Sequence, residues 1–248
     1  MATFGIEGIR YFANARANGV STAEDLTYIF NICNGLDERL RSRGHTRRFY
    51  WANQNCWETD IRDTDQGGDD TSWVDDVDLF FITTHGNHEP DGQARLLYDP
   101  HQNWRTYSGQ WQLGENWNAE WVLVYGCKTV DLNQVTGLWN IFDRLHIFCG
   151  AWDNMWDGIT TDEVGEDVGQ NLIDGDTVSE SWIDGVSDWW VDNHPITVCP
   201  GDAATWNGGN VDWAKSHLNR DHLWGHGDVA PDLSPSQQAC LLWRWAEG

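Results

Sequence analysis

Two segments of this chain end a hydrophobic run in a residue able to carry a proton or attack a carbonyl. In LFFITTHG, residues 79–86, the run closes on His85 and Gly86; in EWVLVYGC, residues 120–127, it closes on Gly126 and Cys127. A thiol of ordinary pKa is only roughly a few per cent thiolate near neutrality, so it needs an imidazole to take its proton and later return it to a leaving group. Glycines at 86 and 126 give a substrate backbone room to come close. Main-chain N–H groups beside both residues are candidates to bind a developing oxyanion. Ligands of parallel sheets bind beyond the carboxyl ends of the strands, so the two segments predict a His-Cys dyad if their strands are neighbours.

The elements that must position such a dyad read as an α/β protein, a mostly parallel central sheet with helices on both faces. Phe4 to Phe12 alternates as a strand. STAEDLTYIFNICNGLDERLRSRG predicts an amphipathic helix with a Ser21 or Thr22 cap, a stripe of Leu26, Ile29, Phe30, Cys33, Leu36 and Leu40, and Gly44 as the stop. RRFYWA, VDLFFITT, EWVLVYG, LHIFCGA and PITVCPG are strands, with helical stretches around 133–145 and 160–192 between the later ones. Near-continuous apolar strands alternating with helices are the pattern of a sheet covered on both sides. From 203 onward the chain reads as a loop-rich tail over the sheet end, closing in a short helix at CLLWRWAEG. No repeat and no Pro-, Gly- or Ser-rich linker divides the chain, so a single domain over 1–248 is expected, with its core at about 1–202.

Asp and Glu number 39 against 15 Lys plus Arg, for a formal net charge of -24, which opposes nucleic acid and anionic membranes as partners. No apolar run reaches the roughly 18 residues a membrane span needs. The N-terminus lacks the basic start and apolar block of a secretory signal, so cytoplasmic residence is the expectation. Lys128 and Lys215 are the only lysines, a bias that fits either a GC-rich genome or adaptation to salt. The six cysteines show no CxxC pair, and free thiols are expected; Cys33, Cys149 and Cys199 sit in apolar runs as core residues. Of the 18 tryptophans, many punctuate helix-like segments, while those of YSGQWQLGENW and GAWDNMWDG, including Trp111, Trp152 and Trp156, fall in polar, glycine-rich stretches where they are candidates to line a pocket.

Other chemistries find less support. HGNHE offers His85, His88 and Glu89, and SHLNRDHLWGHGD offers His217, Asp221, His222, His226 and Asp228. Neither has the central Glu of HExxH, so no metal is expected and the histidine-rich tail reads as a hydrogen-bonded lid. His146 and His194 read as structural. The acidic stretch DIRDTDQGGDDTSWVDD does not match an EF-hand loop and reads as a solvated surface. P-loop, dinucleotide and GxSxG patterns are absent, and no cofactor is expected.

LFFITTHG and WVLVYGC, their His and Cys 42 positions apart, together resemble the signature of the caspase, gingipain, legumain and separase clan of cysteine peptidases. The Gly-Cys form looks most like the separase side. VGEDVGQNLIDGDTVSESWIDG is similar to the helical segment that follows the next strand in gingipain-like domains, and the resemblance spans roughly residues 75–202. It implies a caspase-like fold with Cys127 as nucleophile, His85 as general base and acid, and the N–H groups of Gly86 and Cys127 as the oxyanion hole. GAWDNMWD falls where a specificity wall is implied, with Asp153 favouring a basic side chain. The expected substrate is a peptide or small acyl compound. A cyclase or ligase using the same pocket is the variant within this class, and a non-catalytic module binding ligands on its aromatic loops is the alternative outside it.

Overall fold

The computed structural model describes residues 1–20, 23–99, 105–116, 118–187, 191–207 and 210–247. The cap expected at Ser21 or Thr22, and Trp117, Trp189 and Trp190 of the aromatic segments, lie outside the described residues.

Among the described residues, twelve strands and four α-helices follow in chain order: β1 (Thr3–Gly8), α1 (Ala13–Ala17), α2 (Ile29–Ser42), β2 (Thr46–Ala52), β3 (Leu79–Thr83), β4 (Gly86–His88), β5 (Ala94–Leu97), β6 (Arg105–Tyr107), β7 (Trp121–Tyr125), β8 (Ile147–Ala151), α3 (Val164–Asp174), α4 (Val178–Val186), β9 (Pro195–Asp202), β10 (Trp206–Asn207), β11 (Asn210–Val211) and β12 (Gln238–Trp245). Seven strands make the central sheet in the order β12-β9-β8-β7-β3-β1-β2. The run from β8 to β2 is parallel, whereas β9 pairs antiparallel with β8 and β12 antiparallel with β9. The chain steps from β1 to β2 on one side, then returns to β3 on the other, so the strand order reverses between β1 and β3. Ligands of open α/β sheets bind at such a reversal, outside the carboxyl ends.

The apolar runs explain why the sheet is buried on both faces. Leu79 and Phe81 of β3, with Trp121, Leu123 and Tyr125 of β7, join one core together with Ile32, Leu36 and Leu40 of α2, Val168 and Leu172 of α3, and Trp182 of α4. Phe80, Ile82, Val122 and Val124 alternate to the opposite core. The three longer helices thus cover one face; α1, the 3-10 turn Val135–Ile141 and loops carrying Trp111 and Leu113 cover the other. Helix α3 lies so close on α2 that a Cβ at Gly165 would stand 1.8 Å from the Ile32 carbonyl oxygen.

Three expectations need correction. Helix α2 begins at Ile29, not near residue 22: the amides of Thr27 and Tyr28 are taken by the Asp157 carboxylate, which holds residues 26–29 against the sheet end instead of letting them start a free turn. The CLLWRW of CLLWRWAEG is not helical but part of β12, where Leu241 and Leu242 are buried and Trp243 and Trp245 are exposed. The acidic stretch at 60–76 is only in part a solvated surface: Asp65 and Asp69 are exposed, but Asp60, Asp63, Asp70 and Asp75 are buried and their side chains turn inward to accept main-chain N–H groups.

Candidate functional site

Strands β3 and β7 are parallel neighbours whose register pairs Thr83 with Tyr125, so the residues that follow each emerge side by side. His85 and Cys127 both line a cavity of about 120 Å³, walled by Leu26 ahead of α2 and Ile29 at its start, by Thr84, Tyr125 and Gly126, and by Met155, Trp156 and Asp157 after β8. The cavity lies over the strand-order reversal. Gly86 and Gly126 are what lets the two strand ends meet: a Cβ on Gly86 would stand 2.6 Å from the Cys127 carbonyl oxygen and 2.7 Å from Thr129 Cγ2, and one on Gly126 would stand 2.8 Å from the Thr84 carbonyl oxygen.

Each candidate reactive side chain is oriented by a main-chain partner. His85 Nε2 lies 2.7 Å from the Glu24 carbonyl oxygen, and the ring packs 4.6 Å from Phe12. A carbonyl only accepts, so Nε2 carries the proton and the neutral ring keeps Nδ1 as its basic nitrogen. Burial lowers the His85 pKa from its ordinary value, against the raising effect of the Glu24 carbonyl, which favours that neutral ring at pH 7. Cys127 Sγ accepts from the Met155 N–H at 3.3 Å and donates toward the Met155 carbonyl oxygen at 3.4 Å. Burial raises the thiol above its ordinary value, outweighing the Met155 hydrogen bond and the Lys128 charge. The resting pair is therefore neutral thiol and neutral imidazole, not an ion pair. Lys128 itself adopts φ +51, a left-handed conformation that costs a non-glycine residue and that recurs at functional turns.

The aromatic and acidic residues expected at a substrate wall occupy different places. Trp156 lines the cavity and is 55% exposed. Its main chain is fixed by Asn193 Oδ1, 2.8 Å from the Trp156 N–H, and by the Tyr125 hydroxyl, which donates to the Trp156 carbonyl at 2.7 Å. Asp153 instead forms an ion pair with Lys128 at 3.3 Å. Trp152 packs on His194 and on Trp245 of β12. Trp111 is wholly buried against Phe148, its indole N–H donating to Thr106 Oγ1 at 2.8 Å, and it is not among the residues that line the cavity at Cys127. A polar, glycine-rich sequence context does not report that a ring has been drawn into the core beneath a loop. Asp157 is the carboxylate that reaches the cavity, a residue the sequence analysis did not single out.

The histidines of the tail disperse. His222 Nδ1 bonds to the Arg220 carbonyl, and His226 meets His45 at 3.0 Å. His217 and Asp221 instead join His146, Glu120 and Asp232 at the opposite, amino end of the sheet. Among the described residues, no helix is long and apolar enough to cross a membrane.

The fold and this site define an α/β protein that presents an imidazole and a thiol at the carboxyl ends of adjacent parallel strands. The chain belongs to the family described as Domain of unknown function (DUF6345), whose model matches residues 6–247. No curated protein matches the sequence. Among solved structures, the chain is similar to a secreted C11 cysteine protease from Bacteroides thetaiotaomicron, "iotapain", with a TM-score of 0.44 and 9% identity, covering 79% of this chain and 65% of that one. It is also similar to the Drosophila initiator caspase Dronc, with a TM-score of 0.40 and 12% identity, covering 68% of this chain and 63% of that one. This chain thus spans less than two thirds of either protein. Neither likeness bears on the chemistry at Cys127.

Proposed function

We propose that the protein is a thiol-dependent acyl-transfer enzyme, most simply a cysteine peptidase, acting on peptides or small acyl compounds at Cys127. The observation that carries this reading is the convergence of His85 and Cys127 on one cavity at the strand-order reversal. Because both groups rest neutral, proton transfer accompanies attack. His85 Nδ1 takes the thiol proton as Sγ bonds to the substrate carbonyl carbon, and the carbonyl π electrons move onto oxygen, where main-chain N–H groups of the Gly86 and Cys127 turns are the candidate donors. The oxyanion collapses, the C–N bond breaks, and the amine leaves with the proton held by the imidazolium. Water then attacks the thioester, giving its proton to His85 and releasing carboxylic acid and free thiol.

The cavity is small and its walls at Leu26, Ile29 and Met155 are apolar, so the group it accepts is compact and uncharged. Asp157 already receives the Tyr28 N–H at 2.7 Å and the Thr27 N–H, which leaves it poorly placed to recruit a basic side chain. Fluorogenic amides carrying Ala, Val, Leu or Arg beside the scissile bond test this. Cleavage of the small apolar members, lost in Cys127→Ala and His85→Ala, is the expected result. Addition of amine nucleophiles separates hydrolysis from ligation, since only a ligase partitions the thioester to them.

One observation favours a second, non-catalytic reading. Trp51, Trp57 and Trp73, with Asn55, Asp60 and Asp69, line an open groove of about 500 Å³ on a different part of the surface. Aromatic faces with interspersed polar groups suit stacking on sugar or apolar ligands. Ligand-dependent quenching of tryptophan fluorescence that is unchanged in Cys127→Ala and lost in Trp57→Ala would favour it.

A further inference from the structure

The amino ends of the central strands carry a second cluster that the proposed chemistry does not use. Glu120 directly precedes β7 and His146 directly precedes β8, and the two are tied by the His146 N–H donating to the Glu120 carbonyl at 2.9 Å. The segment between β11 and β12 closes over them with His217, Asp221 and Asp232. His146 and Asp221 are both wholly buried.

The two nitrogens of His146 have different surroundings. Nδ1 lies 2.7 Å from Asp221 Oδ2. That carboxylate also faces His217 Nδ1 at 3.1 Å and the Trp121 indole N–H at 3.4 Å, while its Oδ1 accepts the Ala230 N–H at 2.8 Å. Asp221 is therefore held rigidly and fixes the imidazole. Nε2, by contrast, has Glu120 Oε2 at 3.0 Å and Asp232 Oδ1 at 3.4 Å, yet makes no hydrogen bond of acceptable geometry to either. Nε2 thus stands close to two carboxylate oxygens without a hydrogen-bond partner. One ligating atom from each of Glu120, His146 and Asp232 lies within 4.8 Å of the others.

These features are those of a metal site. Around a tetrahedral ion with bonds of about 2.0 Å, ligand atoms stand about 3.3 Å apart, and the two separations from Nε2 bracket that value. Ligating imidazoles commonly donate their other N–H to a carboxylate that fixes the tautomer, which is the place of Asp221. We propose that Glu120, His146 and Asp232 bind a first-row divalent transition metal ion, zinc being the case that fits the separations, with Asp221 as the residue that positions His146. One nitrogen and two carboxylate oxygens leave a coordination position for water or an exogenous ligand. Asp232, the most exposed of the three at 29%, lines a cavity of about 270 Å³ through which that position would be reached.

The alternative occupant is a proton. The same three carboxylates, Asp221, Glu120 and Asp232, could equally surround a protonated His146, and metal binding to an imidazole nitrogen requires that nitrogen to be free of its proton. Chelator-treated protein titrated with Co²⁺, then with Zn²⁺, tests the proposal. Expected are one equivalent of Co²⁺ with the intense visible absorption of a low-symmetry site, displacement by Zn²⁺, and a buffer-dependent heat from the released proton. Asp232→Asn, which alters a partly exposed side chain, and Glu120→Gln should each weaken binding by about 10-fold or more, and Asp221→Asn by about 10- to 100-fold. Cys127→Ser should leave the spectrum unchanged, as should Asp75→Asn, which removes a charge from a separate carboxylate cluster. Absence of stoichiometric binding, or binding indifferent to Asp232→Asn and Glu120→Gln in folded protein, would overturn the assignment and leave His146 as a buried imidazolium.

Discussion

Replacing Asp75 by Asn should stabilise the protein at alkaline pH, because Asp75 is an acid buried where its charge has no counterpart. The side chain is wholly buried; Oδ1 accepts the Gly114 N–H at 2.8 Å, while Oδ2 meets no hydrogen-bond criterion among the described residues. Asp70 and Glu115 crowd it with like charge. Burial first, and those neighbours next, push its pKa up to about 7. A carboxyl raised above its unfolded value contributes stability that is present below about pH 4 and is lost as pH climbs toward the folded value. About three pH units at about 1.4 kcal/mol each set a ceiling near ~4 kcal/mol. Coupling to Asp70 and local relaxation reduce that ceiling, and about 1–3 kcal/mol is the expected gain of Asp75→Asn at pH ~8. Asparagine keeps the oxygen that meets Gly114 and adds an amide N–H beside the other carboxylates. Urea unfolding of chelator-treated wild type and variant at several pH values measures the difference directly; in thermal scans it corresponds to about 2–4 °C per kcal/mol. The gain should shrink toward zero by pH ~4. A difference independent of pH, or a variant less stable than wild type at pH ~8, would show that the charge is compensated and the reasoning wrong.

Other perturbations probe the cavity at the carboxyl ends. Gly86→Ala places a methyl 2.6 Å from the Cys127 carbonyl oxygen and should cost about 1–3 kcal/mol of stability, while abolishing any Cys127 reactivity that depends on His85; unfolding curves and thiol alkylation separate the two effects. Asn193→Ala removes the acceptor of the Trp156 N–H from a wholly buried position. About 1–3 kcal/mol of destabilisation and looser substrate discrimination are expected, checked by chemical unfolding and by relative kcat/KM across the amide series. Without His85, alkylation of Cys127 should keep accelerating above pH ~9, since burial raises the thiol; with His85 present, reactivity should already be developed near pH ~7, where the imidazole is neutral. Coincident pH-rate profiles for wild type and His85→Ala would contradict that.

The strands were readable because they are buried on both faces: five-residue apolar runs such as LFFIT and WVLVY have no helical period to confuse them, and each ends where a polar or glycine residue breaks the run. His-Gly and Gly-Cys were visible for the same reason, as candidate reactive residues placed where a buried run stops. What was not readable depends on distant partners. The start of α2 is set by Asp157, about 130 residues away, so the local cap signal at 21–22 carried no information about it. Trp111 and Trp156 sit in similar polar, glycine-rich contexts, yet one is in the core and the other 55% exposed, because strand packing above each loop decides. CLLWRW pairs with β9 as an edge strand, a tertiary outcome that overrides a helix-like pattern. Glu120, His146 and Asp232 have no spacing to recognise, since three separate connections bring them together.

The most direct test of the account is which thiol reacts first. Cys127 and Cys240 are both partly buried free thiols, with the other four buried, so Cys240 serves as an internal reference. Folded protein at pH ~6, where an ordinary thiol is almost wholly protonated, is treated with limiting iodoacetamide, and labelling at all six cysteines is mapped for wild type and His85→Ala. The account predicts that Cys127 is labelled well ahead of Cys240 and that His85→Ala removes this lead. Equal labelling of the two, or a Cys127 rate indifferent to His85, would contradict it.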